Sequence, residues 1–145
     1  MNEALLLAKE AAIYEEVPVG CVIVNEDGDI IARSRNRCRE DGDATAHAEM
    51  LAIRNAEQAL GSPHLEGCTL YVTAEPCPMC AGAILHTRIS RIVFGCSEPL
   101  TGSCGSVINL FEERYGHHPA IYGGVCAEES KALLRAFFDG LRAEN

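Results

Sequence analysis

Hydrophobic positions recur at helical spacing at the start of the chain. Ala4, Leu5, Ala8, Ala11 and Ala12 share one stripe over residues 2–15, and Pro18 ends that element. The pattern then shortens to period two: 19–24 and 30–34 read as strands joined at Asp27-Gly28, which is a hairpin. A polar loop from Asn36 to Asp43 leads to a helix over about 46–60, with Thr45 as its N-cap and Gly61 as its stop. Residues 69–73 form a β-rich strand, and 77–87 a helix whose first turn accommodates Pro76 and Pro78. A strand at 91–95, a Gly- and Ser-rich loop at 97–105, a short helix near 106–114 and a brief strand at 120–122 follow. Leu134, Phe137, Phe138 and Leu141 give a last helix, 129–142, its apolar face. Strands alternating with helices imply a sheet covered on both faces, so the fold class is α/β.

The 145 residues suit one domain, 1–145, with no repeat, low-complexity tract or linker. Composition is that of a globular chain, 48% hydrophobic and 23% charged, and no apolar run approaches a membrane span. The N-terminus carries Glu3, Lys9 and Glu10 among its apolar residues, unlike a signal peptide, which predicts a cytoplasmic protein. Net charge is −9, against non-specific nucleic-acid binding, yet Arg33, Arg35, Arg37 and Arg39 lie within seven residues with no acid among them. That run fits a solvated strand edge or a phosphate-contacting patch equally well.

Of eight cysteines only Cys77 and Cys80 form a close pair, which favours a metal or redox role over a disulfide framework. His47-Ala48-Glu49 precedes them. Imidazole and thiolate are zinc ligands, and a helix N-terminus favours the thiolate form. His47, Cys77 and Cys80 would then hold one Zn2+, with a fourth position left for water and Glu49 beside it as general base. A closed structural zinc site with another Cys or His as fourth ligand is the plain alternative, although it gives Glu49 no purpose. His64, His86, His117 and His118 lack metal-like spacing with the pair and read as surface or capping residues, and Tyr115 as a packing residue.

The pattern H-x-E … P-C-x-x-C resembles the signature of the zinc-dependent nucleobase and nucleoside deaminases, which are a standard example of this zinc chemistry. The chain is most similar to the bacterial tRNA-specific adenosine deaminase branch. Matching stretches are Glu16 to Gly20, Thr45 to Glu49, Leu65 to Thr73, Glu75-Pro76-Cys77, Met79 to Ile84, Arg88-Ile89, Val93 to Gly95, Thr101-Gly102 and the closing LLRAFFDGLR. The resemblance implies a three-layer α/β/α cytidine deaminase-like fold on a five-stranded mixed sheet. It implies a homodimer with one zinc per subunit, acting on a tRNA anticodon loop. The implied reaction is adenosine to inosine at the wobble position, by attack of a zinc-activated water on C6 while Glu49 shuttles the proton. Asn36 matches the family's asparagine that contacts the nucleoside, its plain alternative being a turn residue, and the Ala48 amide is expected to face the base.

Three positions depart from the family pattern. Asp-Pro-Thr-Ala is here Asp43-Ala44-Thr45-Ala46, which frees the loop beside the pocket; a basic residue before Thr-Gly is Leu100; and Phe-Asn-His is Tyr115-Gly116-His117. A deaminase of a free base or nucleoside is therefore the competing function, and a non-catalytic zinc module the third. The first predicts an open basic groove in which Arg33–Arg39 and the C-terminal helix touch phosphates; the second predicts a closed pocket.

Overall fold

The computed structural model describes residues 1–144. Helix α1 (Asn2–Ile13) leads into the hairpin β1 (Gly20–Val24) and β2 (Ile30–Arg35), then a short α2 (Cys38–Asp41) and α3 (Ala48–Leu60). β3 (Thr69–Ala74), α4 (Pro78–Thr87) and β4 (Arg91–Cys96) follow, then a 3-10 turn at Leu110–Glu112, β5 (Ala120–Tyr122) and α5 (Ala127–Glu144). The strands form one sheet in the order β2-β1-β3-β4-β5. β1 runs antiparallel to β2 and β3, whereas β3, β4 and β5 are parallel. The sheet is mixed, as the resemblance implied.

Alternation along the strands sorts side chains between two layers. Cys21 and Ile23 of β1, Leu70 and Val72 of β3, and Ile92 and Phe94 of β4 join Ala48, Ala52, Ile53 and Ala56 of α3 and Ala81 and Ile84 of α4 in the main core. On the opposite face α1 buries Ala4, Leu5, Ala8 and Ala11 and lies close enough to the sheet to require glycine. A Cβ on Gly20 would meet the Ala4 carbonyl oxygen at 2.0 Å. α5 completes that layer, tied down by Ser130, whose Oγ accepts from Cys96 N–H at 3.0 Å.

Four expectations change. The loop after β2 contains the helical turn α2, which Glu16 initiates: its buried carboxylate accepts from Arg39 N–H (3.1 Å) and Glu40 N–H (2.8 Å). Thr45 is not the cap of α3. The helix starts one residue after His47, and the Thr45 hydroxyl donates to Asp43 Oδ1 instead (2.7 Å). The helix expected at 106–114 is only the turn Leu110–Glu112, with Asn109 Oδ1 accepting from Phe111 N–H at its start. Finally, α5 buries only Ser130. Leu134 and Phe137 are half-buried and Phe138 and Leu141 exposed, because α5 lies over β3, β4 and the flank of α1 rather than over a second apolar layer.

Candidate active site

Antiparallel pairing of β1 with both neighbours brings one set of chain ends to a single edge of the sheet. Gly20 lies opposite Arg35, and Cys21 opposite Val72, so the entry to β1 and the exits of β2 and β3 are adjacent. The exit of β4 joins them, with Ala74 opposite Cys96. α3 and α4 both begin at this edge. Between them is a cleft of about 250 Å³ lined by Val17, Val19, Asn36, His47, Glu49 and Cys77, with a wall made by Glu75, Glu98 and Thr101. The carboxyl ends of strands are the usual place for a site in an α/β sheet.

His47 and Cys77 are the N-caps of α3 and α4, both in extended backbone conformation, and Pro78 occupies the first turn of α4. His47 Nδ1 lies 3.6 Å from Cys77 Sγ and 3.5 Å from Cys80 Sγ. Zinc bonds of about 2.05 Å to nitrogen and 2.3 Å to sulfur at a tetrahedral angle place N and S about 3.6 Å apart, so the donors fit zinc. All three donor atoms fall within 4.8 Å of one another, and among the described residues no fourth His, Cys, Asp or Glu joins the group. The closed structural site therefore lacks its fourth ligand. The Cys77–Cys80 hydrogen bond, with His47 beside it, lowers the Cys77 thiol to about 4, while the same bond and burial push Cys80 up. The hydrogen bond to Cys77 raises His47.

Residues 1–96 match the family described as the cytidine and deoxycytidylate deaminase zinc-binding region. The chain belongs to the cytidine and deoxycytidylate deaminases. It is 48% identical over 143 residues to a tRNA-specific adenosine deaminase of Bacillus subtilis, covering 98% of this chain and 88% of that one. Against the Agrobacterium fabrum protein of the same name it is 46% identical, with 100% and 95% coverage. It is also 51% identical to a tRNA(Ile)-lysidine synthase of Deinococcus radiodurans, of which it spans only 24%. A solved structure from work on A-to-I editing by tRNA:A34 deaminases at the wobble position superposes with a TM-score of 0.89 at 47% identity, covering 92% of this chain and 97% of that one. A guanine deaminase of Nitrosomonas europaea superposes with a TM-score of 0.82 at 23% identity over 94% and 81% of the two chains, a likeness of fold. Zinc is accordingly the deaminase's cofactor, and His47, Cys77 and Cys80 are the residues that would hold it.

Glu49 follows His47 in the first turn of α3 and is 4% exposed. Burial raises its carboxyl above the ordinary range, with the nearby His47 opposing that in part. Asn36 and Ala48, expected as two separate contacts to substrate, are joined. Ala48 N–H donates to Asn36 Oδ1 (2.8 Å), and Asn36 Nδ2 donates to the Val17 carbonyl (3.1 Å). The Ala48 amide is therefore engaged by Asn36 rather than turned to the cleft. The side chain of His47 faces the other donors, so Asn36, twelve residues upstream, caps α3 in its place.

The four arginines form no free basic patch. Arg33 pairs with Glu3 (3.7 Å), Arg37 with Glu40 (3.2 Å) and Asp41 (3.1 Å), and Arg39 with Glu15 (3.7 Å). Arg35 is largely buried between Glu40 (2.7 Å) and Glu10 (3.7 Å), with its guanidinium 4.3 Å from the centre of the Tyr14 ring. Glu40 and Asp41 directly follow the run, whereas Glu3, Glu10 and Glu15 reach it from α1 and the turn between α1 and β1, which the local sequence does not show. The departures from the family pattern also find explanations. The loop at Ala44 is not freed, because Asp43 Oδ1 accepts from both the amide (2.8 Å) and the hydroxyl of Thr45. Gly116 adopts φ +79, a conformation that asparagine also tolerates, while Leu100 is 84% exposed. His117 and His118 donate to the carbonyls of Ile89 (2.7 Å) and Phe111 (2.6 Å), and Tyr115 is exposed rather than packed. The sequence marks Glu75 only as a neighbour of Cys77; the signal that singles it out is an acid at the exit of a strand, directly before the Pro-Cys pair.

Proposed function

We propose that this deaminase hydrolyses adenosine to inosine at the wobble position of a tRNA anticodon. One observation carries the reading: a buried glutamate, Glu49, stands beside a three-donor His47/Cys77/Cys80 group at the floor of a cleft. High identity over nearly the full length of tRNA-specific adenosine deaminases supports the choice of substrate. Zinc, when bound, lowers the pKa of water towards 7 and so supplies the nucleophile. Glu49 takes one proton of that water as its oxygen adds to C6 and passes it to ring N1; it then takes the remaining proton of the new C6 hydroxyl and gives it to the amine, so that the C6–N bond breaks, the C6 carbonyl forms and ammonia leaves. Its raised affinity for a proton suits a group that must hold one between those steps. Asn36, with one Nδ2 hydrogen engaged by Val17, has its second donor for the nucleoside. The flipped-out adenine enters the cleft, and the anticodon loop rests on its rim.

We further propose that all 145 residues act as one domain carrying one zinc, in the cytoplasm where tRNA is found, and as a homodimer. A single sheet with α1, α3 and α5 laid against it and α4 packed on α3 supports the first. No helix among the described residues is long and apolar enough to cross a membrane. The outer face of α4 supports the dimer: a Cβ at Gly82 would meet nothing within 4 Å, and a hollow of about 500 Å³ lies there between Leu85, His86 and Leu110. Equilibrium sedimentation of the zinc-loaded protein checks it, a mass of two chains being the expected result.

The test of function is ammonia release by the zinc-loaded protein from an anticodon stem-loop with adenosine at the wobble position, compared with a panel of free bases and nucleosides. Turnover of the stem-loop alone is expected, and Glu49→Gln should keep its zinc while losing about 10²-fold or more in kcat. Turnover of a free base with none of the stem-loop overturns the tRNA reading.

A further inference from the structure

The segment 97–105, rich in glycine and serine, has the composition of a mobile loop, yet it is fastened at every turn. Glu75 N–H donates to the Cys96 carbonyl (2.9 Å) and Ser103 N–H to the Pro76 carbonyl (2.9 Å). Between these bonds the Glu75 side chain, 4% exposed, enters the loop. Its Oε1 accepts from Glu98 N–H (3.0 Å) and from the Ser106 hydroxyl. Its Oε2 accepts from Cys104 N–H (2.9 Å) and Ser106 N–H (3.1 Å). The loop closes on the carboxylate so tightly that a Cβ on Gly102 would meet its atoms at 2.4–2.5 Å. All four donors lie between Glu98 and Ser106, and among the described residues no lysine or arginine forms an ion pair with Glu75. Burying a carboxylate is costly and is tolerated where its lone pairs are this fully used.

The chain entering the clamp is also the chain leaving it for the site. Glu75 is followed by Pro76 and the donor Cys77, and the clamped loop supplies Glu98 and Thr101 to the cleft wall opposite Asn36 and Glu49. We propose that Glu75 is a positioning residue for the reaction: its carboxylate fixes the 97–106 loop as a preformed wall, so that Glu98 and Thr101 meet the substrate without prior ordering. This rests on the reading of the cleft as the deamination site. A wall that is already ordered spares the cost of ordering it on binding, which appears in KM rather than in the chemical step.

Glu75→Gln makes the test sharp. The amide oxygen serves best at the Oε2 position, where two N–H groups need an acceptor. The NH2 then falls at the Oε1 position, where it can donate to the Ser106 hydroxyl but meets the Glu98 N–H donor to donor. Amide hydrogen exchange of the zinc-loaded, substrate-free protein should therefore lose protection at Glu98 and keep it at Cys104 and Ser106. KM for the stem-loop should rise about tenfold with kcat within about twofold and one zinc retained per chain. Ser106→Ala, which removes a single donor, is the milder variant if Glu75→Gln fails to fold, with an expected rise in KM of about twofold to fivefold. Unchanged exchange at Glu98 in Glu75→Gln, or a fall in kcat at constant KM or loss of zinc with either variant, overturns the proposal. Exchange needs no substrate, so an inactive wild type would count against the tRNA reading and leave the clamp to be judged by Glu98.

Discussion

Asn36 holds the start of α3, and removing its side chain has a cost that can be worked from its contacts. In Asn36→Ala the Ala48 N–H, on a residue with no exposed surface, loses its acceptor. An unsatisfied buried amide costs about 1–3 kcal/mol. The Val17 carbonyl is not orphaned, because Val19 N–H also donates to it at 2.8 Å, so its loss adds little. A destabilisation of about 1–3 kcal/mol is thus expected, which for a chain of this size lowers Tm by roughly 2–4 °C per kcal/mol. Asn36→Asp keeps an oxygen for the Ala48 amide and puts a negative charge at a helix N-terminus, but turns its other oxygen on the Val17 carbonyl. It should fall between Asn36→Ala and the wild type. Equilibrium urea unfolding at fixed zinc concentration measures all three, since metal binding itself shifts apparent stability. The same helix turn carries His47 and Glu49, so kcat/KM of Asn36→Ala should fall about tenfold or more, an energy near 1.4 kcal/mol in the barrier. Asn36→Ala unfolding within about 0.5 kcal/mol of the wild type, the range of a neutral surface change, would refute the capping argument.

The remaining predictions concern the packing of α1 and the pairing of the arginines. Gly20→Ala drives a methyl into the backbone of α1 at Ala4 and Ala8, so α1 must move; a loss of about 1–3 kcal/mol is expected by urea unfolding, with zinc content unchanged. Arg35 holds the Glu40 carboxyl below its ordinary value near 4.5, by hydrogen bond and by charge, with Arg37 adding to it. A lowered folded-state pKa gives stability that is full above about 4.5 and lost as pH falls through the lower folded value. Unfolding midpoints of the wild type between pH 6 and 3 should therefore drop more steeply than those of Arg35→Met. Equal slopes would show that the pair does not couple to folding.

The chemistry of the site was legible in the sequence because it is written locally. His47 and Glu49 stand two residues apart at the start of α3, and Cys77 and Cys80, three apart at the start of α4, share a face by their spacing alone. The order of strands and helices was legible for the same reason, since periods of two and 3.6 residues are properties of short windows. What needed the tertiary structure was every feature whose partner lies far along the chain. The parallel pairing of β3 with β4 brings Glu75 to an amide 31 residues away, α3 laid on β2 brings the Ala48 amide to Asn36, and α1 packed on β1 and β2 brings Glu3 and Glu10 to Arg33 and Arg35. The apolar stripe of α5 gives the reverse case: periodicity marks a face, but only the neighbouring elements decide how much of it they cover. Hydrogen bonds and ion pairs are short-ranged, so they are fixed by strand register and helix placement, which no local pattern of residue types contains.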